Sequence, residues 1–154
     1  MAVEWKIKGF FHADAGKVFA EITSIGDSYT PEEIVEKAND PDSELHKCFE
    51  WDDTVAAHKY RLTQAQLIVR SLVVTEERTD EKKNPPIISR AIVSTNENNN
   101  RYEKVTVAVR NEENYERLCN AALRELEVFK RKYSAIIGLR DMIEEIEELI
   151  RSHT

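Results

Sequence analysis

The sequence predicts an α+β fold with an N-terminal helical lobe, a small antiparallel β-sheet or hairpin, and a long C-terminal helix. Three observations predict it. "TPEEIVEKANDP" carries both a start and a stop signal for a helix. Two β-branched runs flank the asparagine-rich "NENNN". An apolar stripe at helical spacing then continues, with no proline, from about Asn111 to Arg151. The expected organisation is a helical lobe over 1–75, a polar loop over 76–86, and a β-hairpin plus long helix over 87–154, all in one compact unit.

The elements follow in order. In "VEWKIK", Val3, Trp5 and Ile7 alternate with charged residues, the period of a half-buried strand. "ADAGKVFAEITSIG" sets Val18, Phe19, Ile22 and Ile25 on one helical face and closes on Gly26. In the next helix Thr30 is the N-cap, Pro31 takes the first helical position, Glu33 completes a capping box and Pro41 lies beyond the end. A helical hairpin over about 13–39 follows. The third helix is expected to start after "WDD", with Asp52 or Asp53 as its cap, and to reach about Arg70. Val55, Leu62 and Val69 line it, with Ala65, Ile68 and Leu72 beside them. "SLVVT" then reads as a strand.

"EERTDEKKNPP" is charged and ends in two prolines, which makes it a surface loop. After it, "IISRAIVST" and "RYEKVTVAVR" read as a β-hairpin, with Val105, Val107 and Val109 on one face. The last apolar stripe includes Leu118, Ala122, Leu126, Phe129, Tyr133, Ile143, Ile146 and Ile150. One straight helix of that length would span about 60 Å, wider than a globule of this size. It must therefore break near Gly138, or project and bury its stripe against a second chain in the manner of a coiled coil. Self-association through this helix is the expectation. The alternative is that it folds back on the N-terminal hairpin.

Composition limits the function classes. The chain has 154 residues, 41% apolar and 33% charged, and a chain of this size buries roughly two-thirds of its unfolded surface without staples. No run approaches the roughly 20 apolar residues of a membrane span, and the N-terminus lacks a secretion signal, so a cytoplasmic protein is expected. Cys48 and Cys119 have neither disulfide-framework nor zinc spacing and read as small apolar residues. A net charge of −7 opposes the phosphate backbone of DNA, which makes nucleic acid a less favoured partner. The four glycines form no phosphate-cradling loop, so the usual nucleotide-hydrolysing folds are not expected.

The densest chemistry lies in "LHKCFEWDDTVAAHKYR". A metal site from His46, Cys48, Asp52, Asp53 and His58 matches no zinc signature, and neither a metal nor another cofactor is predicted. A Cys48–His46 nucleophilic pair lacks a legible orienting group or oxyanion donor. Adjacent carboxylates at Asp52 and Asp53 fit helix capping better than acid–base work. What remains is binding: His46, Phe49, Trp51, Arg61, Gln64 and Arg70 combine flat aromatic surfaces with long donors. Rings that stack on a base, with guanidinium groups reaching an anion, hold nucleotides without a phosphate loop. The competing reading places Phe49 and Trp51 in the core and pairs the arginines with acids.

The blocks "SELHKCFEWDDTVAAHKYRLTQAQLIVRSLVV", "TPEEIVEKANDPDS" and "ALRELEVFKRKYSAI" resemble a largely uncharacterised family of small proteins of tailed phages and prophages. The resemblance covers nearly the whole chain and is most specific at "LHKCFEWDD…AAHKYR". It implies a phage origin rather than a mechanism. Small phage proteins of this setting include oligomeric sponges that sequester nucleotide immune signals, and a sponge needs a pocket but no catalytic constellation. The leading expectation is therefore a non-enzymatic, oligomeric phage protein binding a small anionic, nucleotide-like ligand. A DNA-associated accessory protein and a virion assembly or scaffold component are the alternatives. An enzymatic variant would use His46 or the aspartates on the same ligand.

Overall fold

The computed structural model describes residues 2–52, 55–77, 86–98 and 100–153. Its fold is α+β, as expected. The order is β1 (Ala2–Trp5), α1 (Ala15–Thr23), α2 (Pro31–Ala38), a 3-10 turn (Leu45–Cys48), α3 (Val55–Ser71), β2 (Leu72–Glu76), β3 (Ile87–Arg90), β4 (Ile92–Ser94), β5 (Tyr102–Lys104), α4 (Val105–Ala108), α5 (Glu112–Lys132) and α6 (Ile137–Ser152). Compactness divides the chain into residues 1–107 and 108–154. Strands β3 to β5 fall in the first of these units.

In the first unit, the capping box foreseen at the start of α2 is present, and α1 is capped as well. The Asp14 carboxylate accepts from the Lys17 amide at 2.8 Å, and Thr30 and Glu33 exchange both bonds of the capping box. Val18 and Ile22 from α1, Ile34 and Ala38 from α2, and Ala65, Ile68 and Val69 from α3 meet in one buried core with Leu45, Phe49 and Leu72. Phe19, Ile25, Leu62 and Trp51 pack against it, half-buried. Burial of these apolar faces, rather than intrinsic propensity, is what holds such short helices.

The sheet departs from the expected hairpin. β1, β2 and β3 form an antiparallel sheet in that order, with Trp5 opposite Leu72 and Ile88 opposite Thr75. "IISRAIVST" thus supplies two strands, of which β3 joins the "LVVTE" strand and only β4 pairs with β5, Ser94 opposite Tyr102. Val105 closes the ladder by donating to the Ala91 carbonyl at 3.0 Å. There the chain turns helical. Val105, Val107 and Val109 therefore do not share a strand face: the first two lie in α4, and Val107 and Val109 are exposed. β-branched residues favour strands only where a partner strand is in register, and β4 begins at Ile92, opposite Lys104, so it has no residue to set against Val107 or Val109. Asp53, and residues 78–85 of the expected loop, lie outside the described residues; Glu76 ends β2.

In the second unit, the long stripe is not one helix. α5 ends at Lys132, and Tyr133 closes it by donating to the Phe129 carbonyl at 3.1 Å. α6 starts at Ile137, so Gly138 is its second residue and the break precedes it. Helix α6 packs on α5, burying Ile143 and Glu147. The Glu147 carboxylate reaches the Lys130 ammonium at 3.4 Å, and Lys130 also pairs with Glu127 at 3.2 Å. The fold-back is thus onto α5 within the same unit. No helix of the described residues is long and apolar enough to cross a membrane.

Candidate functional site

The 3-10 turn that carries His46 and Cys48 is tied to α1 by two exchanged carboxylates. Glu21, on α1, accepts from the Ser43 hydroxyl and from the amides of Glu44 and Leu45 at 2.9 and 2.8 Å. In return, Glu44 accepts from the Asp14 amide at 2.9 Å, at the start of α1. Each carboxylate satisfies amides that a helix start leaves without intrahelical partners. Burial alone would raise the Glu21 carboxyl, but the Ser43 hydroxyl and the two amides outweigh it and hold the group below its usual range. The Lys47 ammonium and the Asp14 amide do the same for Glu44.

On that support His46 and Trp51 come together. The two rings stack with centroids 4.6 Å apart and planes 7° from parallel, and the indole Nε1 donates to the His46 carbonyl at 2.9 Å. His46 Nδ1 lies 2.7 Å from the Ala38 carbonyl. Since a carbonyl only accepts, that nitrogen carries a hydrogen. Phe49 is buried beneath, with its ring 5.7 Å from that of Trp51.

Helix α3 supplies the rest of the group. Arg61 and Gln64 are three residues apart, hence on neighbouring positions of one helical face. The Arg61 guanidinium carbon lies 5.1 Å from the Trp51 ring centroid, and an Arg61 N–H donates to the Glu50 carbonyl at 3.4 Å. Gln64 accepts from the Glu50 amide at 3.2 Å. The peptide groups on both sides of Glu50 are therefore bracketed by α3 side chains. Nothing in the local sequence marked Glu21, Glu44 or Glu50 for these roles, because their partners are 11 to 30 residues away.

Five of the six expected ligand-binding residues thus form one group: His46, Phe49, Trp51, Arg61 and Gln64. Arg70 does not join it. It is nine residues beyond Arg61, about 14 Å along the helix at 1.5 Å per residue. There it lies with Arg90 near Tyr102, whose hydroxyl is raised by burial and pulled back by those two charges. Asp52 precedes α3 by three residues, and its amide is 3.3 Å from the Glu50 carboxylate.

The thiol in this region is not an activated one. Burial, with the Glu44 and Glu21 charges nearby, pushes the Cys48 thiol up to about 12, so at neutral pH it is not the thiolate a nucleophile requires. Among the described residues no group of three or more His, Cys, Asp or Glu could hold a metal ion. His58 is exposed on α3, away from His46 in sequence and in burial. Of the basic residues, Arg61 lies on Trp51, and Lys130 and Arg131 pair with Glu127 at 3.2 and 3.4 Å.

Compared with family models, curated proteins and solved structures, the chain matches none.

Proposed function

We infer that the chain is a non-enzymatic, oligomeric phage or prophage protein of the bacterial cytoplasm. It binds a small anionic, nucleotide-like ligand and sequesters it, in the manner of a sponge for a host immune signal. The observation that carries this reading is the stack of His46, Trp51 and Arg61, with Gln64 beside it, at the junction of the 3-10 turn and α3.

The physical argument is preorganisation. Flat groups already stacked lose little freedom when a further ring is added, and ordering costs are what most weaken small-ligand binding. A guanidinium has five N–H donors in a fixed plane, the geometry that matches a planar or tetrahedral anion. The raised thiol of Cys48 removes the nearest nucleophile. The expected ligand therefore leaves as it arrived.

Calorimetric titration and thermal shift against cyclic nucleotides and ADP-ribose derivatives test the reading. At least one should bind the wild type, and Arg61→Ala should weaken it tenfold or more while leaving the melting curve cooperative. Binding by no member of the panel would overturn it. Chromatography of the ligand after incubation decides the enzymatic variant, since a sequestering protein returns it unchanged.

A further inference from the structure

The fold-back of α6 leaves much of the C-terminal apolar surface uncovered. Val128 and Phe129 on α5, and Met142, Ile146 and Leu149 on α6, are between 43% and 64% exposed. On α5 the uncovered residues line an open groove of about 430 Å³ together with Arg124, Glu125, Lys132 and Tyr133. Arg124 and Lys132 stand four residues before and four after Val128, which places all three on one side of the helix.

The stripe on α6 has the opposite rim. Met142, Ile146 and Leu149 follow helical spacing, and each is preceded by an acid, Asp141, Glu145 and Glu148 respectively. One residue is a 100° step around a helix, so the three acids run alongside the stripe as a continuous edge. Neither rim is neutralised within the unit. Arg124, Lys132, Asp141, Glu145 and Glu148 make no ion pair among the described residues, Lys132 lying instead 5.3 Å from the Tyr133 ring centroid. Glu147, an acid of α6 that does face α5, behaves differently: it is buried and paired with Lys130.

We propose that the occupant is a second copy of this chain: the Met142–Ile146–Leu149 stripe of one copy's α6 lies in the α5 groove of the other, acid rim against basic rim. The exchange is reciprocal. One chain carries both the basic-rimmed groove and the acid-rimmed stripe, so a two-fold axis satisfies both contacts at once and leaves no open end. Within their own unit α5 and α6 have no further layer over their outer faces, whereas two such hairpins make a four-helix arrangement with a shared core. The apolar residues supply the affinity and the rims fix orientation and exclude mismatched partners. This inference rests on the self-association in the functional reading above and assigns its surface.

Light scattering after size exclusion, across a concentration series, reads the outcome on the full chain. The wild type should run at twice its 17.8 kDa mass. Ile146→Glu should run as a monomer with unchanged helical circular dichroism. The pair Arg124→Glu/Lys132→Glu, and the pair Glu145→Lys/Glu148→Lys, should each be monomeric alone. Mixed, they should form a dimer, because each groove then faces a rim of opposite charge. A monomeric wild type at the highest concentration overturns the proposal, as does a dimer that survives both charge reversals, or reversed chains that fail to associate when mixed. Ligand titration is read separately, so a dimer that binds no nucleotide leaves this surface standing and removes only the ligand.

Discussion

Trp51 and His46 are joined twice, by rings stacked 4.6 Å apart and by the indole N–H on the His46 carbonyl at 2.9 Å. The same carbonyl also accepts from the Phe49 amide at 3.3 Å, so the indole bond ties the start of the α3 approach to the 3-10 turn. Trp51→Phe keeps a stacking ring and loses that donor, with an expected cost of about 1 kcal/mol. Trp51→Ala loses the stack and the packing on Phe49, for which about 2–3 kcal/mol is expected, below the cost at a fully buried site. Urea denaturation of both variants checks this. A cost for Trp51→Ala within the range of an ordinary surface change would show that the double attachment contributes nothing.

The exchanged carboxylates between α1 and the 3-10 turn make the first unit acid-sensitive. Glu21 and Glu44 are both held below their usual range when folded, so the unfolded chain takes up protons at a higher pH than the folded one. Their contribution is complete above the ordinary carboxylate value of about 4.3 and is lost as pH falls through the depressed folded values. Stability measured from pH 6 downward should therefore decline most steeply below that point. Glu21→Gln should start less stable at neutral pH and show a shallower acid limb. An unchanged slope in the variant would show that Glu21 is not a principal source of the acid sensitivity.

Cysteine reactivity separates the two thiols. Cys48 is buried and its thiol is pushed up to about 12, whereas Cys119 is half-exposed on α5. Alkylation of the native protein at pH 8, followed by peptide mass spectrometry, should label Cys119 first and leave Cys48 unmodified until denaturant is added. Fast native labelling of Cys48 would reinstate it as a nucleophile and weaken the non-enzymatic reading.

What was legible in the sequence was local. The Thr30–Glu33 box needs residues three apart, and the α1 and α3 faces need steps of three and four, so periodicity and capping suffice to place them. The partners of β3 and of "VTVAV" are decided elsewhere: β3 finds β2 some fifteen residues back, and among the described residues Val107 has no strand to meet. The break at Tyr133–Ile136 lies a few residues before Gly138, the expected break point. Its consequence is tertiary, since turning there lets α6 bury Ile143 and pair Glu147 with Lys130. In the site, Arg61 and Gln64 were legible as one helical face. The Glu21 and Glu44 ties were not, because they span 23 and 30 residues and carry no local pattern.

Tyr29 offers a test with an opposite sign. It is fully buried, and its hydroxyl finds no hydrogen-bond partner among the described residues. Its backbone is well used, exchanging bonds with Tyr102 at 2.9 and 2.8 Å, so the side chain's place in the core is fixed by the chain and not by its polar end. Burial first, and then the Glu103 charge, raise the hydroxyl's pKa, which keeps it neutral at physiological pH. A buried hydroxyl without a partner costs roughly 1–3 kcal/mol in lost hydration, and removing it returns part of that while leaving the ring's packing intact. Tyr29→Phe should therefore raise stability by about 1 kcal/mol and raise the melting temperature. Because the hydroxyl has no partner among the described residues and the ring stays in place, the substitution should change neither ligand binding nor oligomeric mass. A loss of stability instead of a gain would mean that the hydroxyl does hold a partner in solution, and that Tyr29 is a polar tie of the core and not only a filler of it.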